Sequence, residues 1–434
     1  VAEARLALFG LIASATVVAC GGTRDAPPAP SSAANVLLRE GPWRAVLTLP
    51  GGELPFCLEF ARSGERWIAT LVNGSERTRI DEVELRDGAL TLRMPGYENL
   101  VSARLEDGML RGELLMVKLG GKAQRIPFEA RFGLSHRFVS DPPTPAPYPD
   151  YSGRWAIEFG EGEVRSRGVG EFRQQGRLVT GTFLTPTGDH RFLAGEVVDG
   201  ELRLSKFDGG HAFLYRARLG SDGRLTGQWW SGLAFTETFT GQRDAEASLG
   251  DAAGVTRLRD GSSILDIRFP DLNGELRSLR DPRFTGKVVV LALAGSWCPN
   301  CHDEAAFLAS FYRQHRERGL EIVSLMFEQF GDFARAAAAT HRFRQRYGIE
   351  YPTLIAGTSD KDDAASKLPQ LNGVFAFPTT IFIDRAGKVR RIHTGFSGPA
   401  TGVHHERLIE EFTTLVEQLL AETSDPEGVR LEGT

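Results

Sequence analysis

Cysteine is scarce in this chain: four residues in 434, Cys20, Cys57, Cys298 and Cys301. So few in so long a chain form no disulfide framework, and each needs its own explanation. Charge of one sign is also lacking. The formal net charge is −5, and no run of Arg or Lys makes a basic patch, so nothing points to nucleic acid as a partner. The apolar stretch LALFGLIASATVVA at 6–19 falls short of the ~20 residues that a membrane-spanning helix needs. What is present is ordinary for a soluble globular protein, with 41% hydrophobic and 25% charged residues. The length exceeds one compact core and implies roughly two to four domains.

The short apolar stretch, preceded by Arg5, has the dimensions of a signal-peptide core. It ends in Val17-Val18-Ala19-Cys20, which resembles a bacterial lipobox. The resemblance implies a signal peptide over 1–19 and lipidation at Cys20. A plain cleaved signal and an uncleaved anchor are the competing readings. Residues 20–35 are small and Pro-rich, a tether with nothing to pack. Such an anchor puts the protein on the exported, oxidising side, where a cysteine pair is redox-relevant.

Two segments, 36–139 and 151–243, read as antiparallel all-β domains. Alternating runs such as WRAVLTL (43–49) and GRWAIEF (153–159) are broken by Asn73-Gly74, Asp87-Gly88, Asp107-Gly108, Asp199-Gly200 and Asp222-Gly223. Such dipeptides between alternating runs signal hairpins. Trp43 and Trp155 share an offset of 112 residues with Asp87 and Asp199, so the expectation is a tandem β-meander repeat, barrel or sandwich. The competing view is a chance likeness between two all-β segments. A stiff Pro-rich linker, 140–150, separates them, and 244–261 reads as a loose connector. Cys57 lies in LPFCLEF (54–60), and the expectation is a buried core residue.

From 262 the pattern changes to an α/β domain, 262–422, followed by a tail, 423–434. VVVLALA (288–294) reads as a strand buried on both faces. EIVSLMFE (321–328) follows a helix, a second helix ends at Gly348, PTTIFIDRAGKVRRIHTG (378–395) reads as a hairpin, and 404–420 as a closing amphipathic helix. The expected order is β-α-β-α-β-β-α, a mixed sheet with helices on both faces.

Cys298 and Cys301 stand in SWCPNC, between the buried strand and the first helix. A structural zinc site needs four ligands, and neither a second cysteine pair nor a well-placed histidine pair is near, so no metal is expected. A structural disulfide closing so small a ring would stabilise little. Redox cycling fits better. A helix N-terminus favours a thiolate at Cys298, and Pro299 suits the first helical position. Cys298 is then the exposed attacker and Cys301, one turn deeper, the resolver. Trp297 either covers the site or packs.

With these motifs in place, residues 262–422 resemble the thioredoxin fold of the TlpA-like (ResA-like) periplasmic thiol:disulfide oxidoreductases. The matching stretches are GKVVVLALAGSWCPNCHDE, YGIEYPTLI, FAFPTTIFIDRAGKVRRIHTGF and the last helix. The resemblance implies a cis proline at Pro378 opposite the cysteines, with Phe377, Thr379 and Trp297 beside the substrate chain. It also implies a proton-handling role for Glu304, three residues after Cys301. A solvent-facing carboxylate favoured by the helix dipole is the alternative for Glu304. The pattern departs from thioredoxin itself at Ala292, where no buried Asp is available, and at Pro299-Asn300, which leaves the direction of electron flow open.

Peroxide chemistry is disfavoured by Gly295 and Leu291 at the positions where a peroxiredoxin resemblance would require Thr and Pro, and copper delivery by the close spacing of the cysteines. The implied function is a membrane-anchored envelope disulfide reductase without a bound cofactor. Its partners would be disulfide-bearing envelope proteins and an upstream membrane thiol redox protein. The envelope side is the periplasm, with the outer membrane preferred because Gly21, not Asp, follows Cys20. The alternative is a binding or adaptor lipoprotein whose β-repeats recognise an envelope partner.

Overall fold

The computed structural model describes residues 37–134, 136–140, 147–162, 165–250 and 255–422. Cys20, the expected signal peptide and tether, and the tail at 423–434 lie outside the described residues, as does 141–146 of the linker.

Strands β1 (Gly41–Leu49), β2 (Gly52–Ser63), β3 (Arg66–Asn73), β4 (Glu76–Arg86), β5 (Ala89–Arg93), β6 (Leu100–Glu106), β7 (Met109–Val117) and β8 (Ala123–Phe132) pair in chain order. β8 returns to β1 and closes a barrel. The alternation of β8 shows why: Ile126, Phe128 and Ala130 point inward while their neighbours face water. The turns Asp87-Gly88, Asp107-Gly108 and Asp199-Gly200 have positive φ at both residues, the conformation of tight hairpin turns that match strand twist.

The period of two also corrects the expectation for Cys57. Leu54, Phe56, Leu58 and Phe60 of β2 fill the barrel, so Cys57 necessarily faces out. It is half-buried, and burial with Glu59 nearby raises its thiol pKa.

The second β domain is also a closed antiparallel sheet. It comprises β9 (Gly153–Phe159), β10 (Ser166–Gln175), β11 (Leu178–Thr185), the two-residue β12 (Gly188–Asp189), β13 (Leu193–Val198), β14 (Glu201–Phe207), β15 (Ala212–Leu219), β16 (Leu225–Ser231) and β17 (Phe235–Arg243). β9 pairs with both β10 and β17, and β11 with both β10 and β13, so eight strands close around an aromatic core. β12 pairs with Leu184 and Thr185, the last two residues of β11.

Two asparagines join the barrels. Asn73 donates Nδ2–H to Phe207 O at 2.7 Å and accepts from Phe207 N at 3.2 Å. Asn99 donates to Gly209 O at 2.7 Å and accepts from Val117 N at 2.8 Å. Asn73 was expected to open a turn. It is instead the last residue of β3, and Gly74 supplies the positive φ.

The third domain holds the sheet order β22-β21-β20-β23-β24. All seven residues of β20 (Val288–Ala294) are buried. β20 runs parallel to β21 (Leu320–Glu328) and antiparallel to β23 (Thr379–Ile383), which turns back into β24 (Val389–Thr394). A small hairpin, β18 (Arg268–Pro270) with β19 (Leu276–Ser278), precedes the sheet. The helices are α1 (Pro299–His315), α2 (Phe333–Tyr347), α3 (Lys361–Lys367) and α4 (Val403–Ala421). This is a thioredoxin fold.

Besides the β18–β19 hairpin, two further elements were missed in the sequence. β22 (Thr353–Thr358) is an edge strand parallel to β21, and α3 follows it. Both are too short to show a period. The connector also joins the domain earlier than expected. Thr256 N–H donates to Thr394 Oγ1, Arg257 N–H to Asn372 Oδ1 and Arg259 N–H to Gln370 O. The backbone therefore docks from 256, ahead of 262.

Candidate active site

Cys298 ends the loop after β20 and caps α1. Its backbone is extended, and its Sγ accepts the Cys301 N–H at 3.3 Å. Pro299 at the first helical position forgoes an N–H that would have no partner there. Both thiols are free. The Cys298 thiol donates to Phe377 O at 3.3 Å, and the Phe377–Pro378 peptide is cis. The cysteine expected in the loop and the proline expected opposite therefore meet.

Cys298 was expected to be exposed. It is only 4% exposed, and Cys301 1%. Loops of both barrels reach the first turn of α1 and cover it, and motif spacing carries no sign of them. Burial, with the Cys298 thiol and the Glu304 carboxyl close by, holds the Cys301 thiol well above the ordinary range.

Glu304 is not solvent-facing. It is 1% exposed and accepts a hydrogen bond from Thr380 Oγ1. Burial pushes its carboxyl up to about 8, against the lowering effect of that bond. Trp297 is half-buried; its indole N–H donates to Phe327 O at 2.8 Å and its ring meets Phe377 edge-on at 5.8 Å. Thr379 follows the cis proline as the first residue of β23. It is fully buried, and its hydroxyl donates to Ala376 O at 2.9 Å, so its side chain has no free group for a substrate.

Two residues that the sequence reading did not single out as site residues, Glu328 and His302, hold the loop before Cys298. Glu328, at the end of β21, accepts from Ser296 N–H at 3.1 Å, Ser296 Oγ at 2.7 Å and Thr340 Oγ1 at 3.2 Å. Burial lifts its carboxyl to about 7. His302 grips the other side of Ser296. Its Nε2 lies 2.7 Å from Ser296 O and its Nδ1 2.8 Å from Tyr347 Oη. A carbonyl only accepts, so Nε2 carries the proton and Nδ1 accepts from the tyrosine. Burial drops the imidazole to about 3 and keeps it neutral. A charged residue closing the apolar run of β21 was the available signal for Glu328.

Asp303 lies next to this turn. Burial pushes its carboxyl up to about 7, although Arg191 of the second barrel opposes the shift from 3.0 Å away.

A thioredoxin fold with a dithiol at the head of its first helix and a cis proline opposite defines the class: a thioredoxin-type disulfide oxidoreductase. The sequence comparisons agree. The Redoxin family model matches residues 259–404. Thiol-disulfide oxidoreductase ResA of Halalkalibacterium halodurans is 29% identical over 158 residues, 36% of this chain and 77% of that protein. ResA of Geobacillus thermodenitrificans is 30% identical over 140 residues, 32% of this chain and 72% of that protein. The crystal structure of a DsbF homologue from Corynebacterium diphtheriae aligns with 38% of this chain and 96% of its own, at 20% identity and a TM-score of 0.29. The chain belongs to the ResA family of thiol-disulfide oxidoreductases. Both barrels lie outside the residues that the family model matches.

Proposed function

We propose that this protein is a membrane-anchored reductase of disulfides in bacterial envelope proteins. The observation that carries the reading is the Cys298–Cys301 dithiol at the head of α1, facing the cis Phe377–Pro378 peptide. The Cys298 thiolate attacks one sulfur of a partner disulfide. That S–S bond breaks, a mixed disulfide forms, and the partner's second sulfur leaves as a thiolate. Cys301 gives its proton to Glu304 and attacks Cys298. The partner departs as a dithiol, and two electrons have moved from the Cys298–Cys301 pair, now a disulfide. Pro378 and Phe377 hold the partner chain beside Cys298, with Trp297 flanking. Electrons return from an upstream membrane thiol redox protein, and no bound cofactor takes part.

The Val17–Cys20 lipobox pattern and the Pro-rich tether support lipidation at Cys20, a periplasm-facing site and preferred residence on the outer membrane. Among the described residues no helix is long and apolar enough to cross a membrane. The two barrels, 36–139 and 151–243, are copies of one unit in this reading. Trp43 donates its indole N–H to Arg39 O and Trp155 to Tyr151 O, each at 3.0 Å and each four residues back. Gly41 and Gly153 share a positive φ, as do Asp87 and Asp199.

The test is the reduction potential of the full chain, equilibrated in glutathione and dithiothreitol buffers, with Cys298→Ser as control. A value near that of thioredoxin, about −270 mV, supports the reductase; one near about −120 mV reverses the direction. Absence of a reversible couple overturns the reading. Loss of fatty-acid labelling in Cys20→Ser tests the anchor.

A further inference from the structure

The first turn of α1 is enclosed by residues of the two barrels. Tyr97, between β5 and β6, stacks on His302 with ring centroids 4.1 Å apart. Gly210, between β14 and β15, lies against Pro299, so close that a Cβ there would sit 2.9 Å from the proline ring. Asp189 of β12 accepts from Asn300 Nδ2 at 3.3 Å and from Gly398 N–H at 2.9 Å. It thereby ties the residue between the cysteines to the loop after β24. In the same loop Gly395 donates to the carbonyl of Pro378. A Cβ on Gly395 would lie 2.9 Å from the Thr187 backbone, so this barrel turn abuts the strand end beside the cis proline.

Charge fixes the arrangement. Arg191, 9% exposed, bonds Asp303 Oδ1 at 3.0 Å, Glu76 Oε1 at 2.6 Å and Asp208 Oδ2 at 3.3 Å. One guanidinium thus links α1, the first barrel and the second. Such a buried network is costly to break by removing one member, because the remaining charges lose their partner. Among Tyr97, Lys118, His211, Trp297 and Gln329 a cavity of about 20 Å³ remains, room for a water and no more.

We propose that Tyr97, Asp189 and Arg191 are specificity-determining residues of the exchange site: they fence the buried Cys298 so that a disulfide on a folded protein surface reaches it only after the barrel loops withdraw, whereas a small disulfide needs a lesser opening. This rests on the exchange reading above. In the exchange reading a protein partner lays its backbone along Phe377–Pro378, next to the Gly395–Gly398 loop that the Thr187–Asp189 turn abuts, whereas glutathione disulfide needs only an approach to one sulfur. The partners that react fastest therefore present a disulfide on an extended, protruding segment or first engage the barrels.

The experiment uses the reduced full chain and two oxidants, glutathione disulfide and insulin, followed as loss of the Cys298 and Cys301 thiols. Asp189→Ala and Arg191→Gln are expected to raise the insulin rate about tenfold, the weight of roughly one net hydrogen bond on a closed–open equilibrium, while the glutathione disulfide rate hardly changes. Tyr97→Ala removes an uncharged contact and serves if Arg191→Gln fails to fold, as judged by near-ultraviolet circular dichroism. Rates that rise together, or an insulin rate unmoved in folded variants, overturn the fence. Failure of the wild-type dithiol to react with either oxidant instead overturns the exchange reading, and the fence with it.

Discussion

Glu304 and Thr380 face each other in the interior, carboxylate to hydroxyl, one on α1 and the other on β23 two residues beyond the cis proline. The bond fixes a carboxyl next to Cys301 where water does not reach. Glu304 ionises near 4.5 when unperturbed and at about 8 in the fold, so the folded chain holds the proton more tightly. Its contribution to stability is complete below pH 4.5 and is lost as pH rises through about 8.

Glu304→Gln should therefore flatten that part of the pH dependence. Relative to the variant, the reduced wild type should lose stability between pH 5 and 8, at most about 1.4 kcal/mol per pH unit. Urea unfolding of both proteins at the two pH values measures this. The variant also lacks an acceptor for the Cys301 proton, so resolution of a trapped mixed disulfide should slow by about a hundredfold or more. Identical pH slopes in the two proteins would remove the first role, and an unchanged resolution rate the second.

Glu328 is the second buried carboxyl of the site and acts through Ser296. Glu328→Ala strands the Ser296 N–H, the Ser296 hydroxyl and the Thr340 hydroxyl, all buried. The expected cost is about 1–3 kcal/mol for each orphaned group. Glu328→Gln keeps one acceptor oxygen and should lose less. Because Ser296 stands two residues before Cys298, the alanine variant should also shift the Cys298–Cys301 potential. Melting temperatures and glutathione equilibria unchanged from wild type would show that the loop holds its shape without this carboxyl.

The parts legible in the sequence are those set by short-range rules. Asp87-Gly88 and Asp199-Gly200 marked hairpins because only a few residue types tolerate a positive φ at both turn positions. VVVLALA followed by CPNC marked the central strand and the helix head, and Phe377-Pro378-Thr379 was found by resemblance. Cys57 was misplaced because the burial preference of cysteine was given more weight than the alternation of LPFCLEF, which puts it on the outer face. Glu328, Asp189 and Arg191 reach the cysteines through tertiary packing across 30 to more than 100 residues of chain. No local pattern encodes that approach, and it is also what buries Cys298.

Asn73 offers a test of how the barrels are joined. Asn73→Ala removes the acceptor of the Phe207 N–H and the donor to its carbonyl at a fully buried position. A loss of about 1–3 kcal/mol is expected for each group left unpaired. Amide exchange at Phe207 should quicken as well, since the bond that protects it is gone. Unchanged exchange there would mean that the neighbouring strands alone hold the contact.

Trp43 and Trp155 test the equivalence of the two barrels. Each is 1% exposed, and each donates its indole N–H to a carbonyl four residues back. If the barrels are copies, the two tryptophans carry the same energetic role. Trp43→Ala and Trp155→Ala should each destabilise by about 3–5 kcal/mol, the range for deleting a large buried aromatic side chain. Trp→Phe at either site keeps most of the apolar volume and forfeits the indole hydrogen bond, worth about 1 kcal/mol. Matched losses in urea unfolding, with the Cys298–Cys301 potential unmoved, support duplication of one barrel unit. A large loss at one tryptophan beside a neutral change at the other would show two barrels alike in topology but built on different cores.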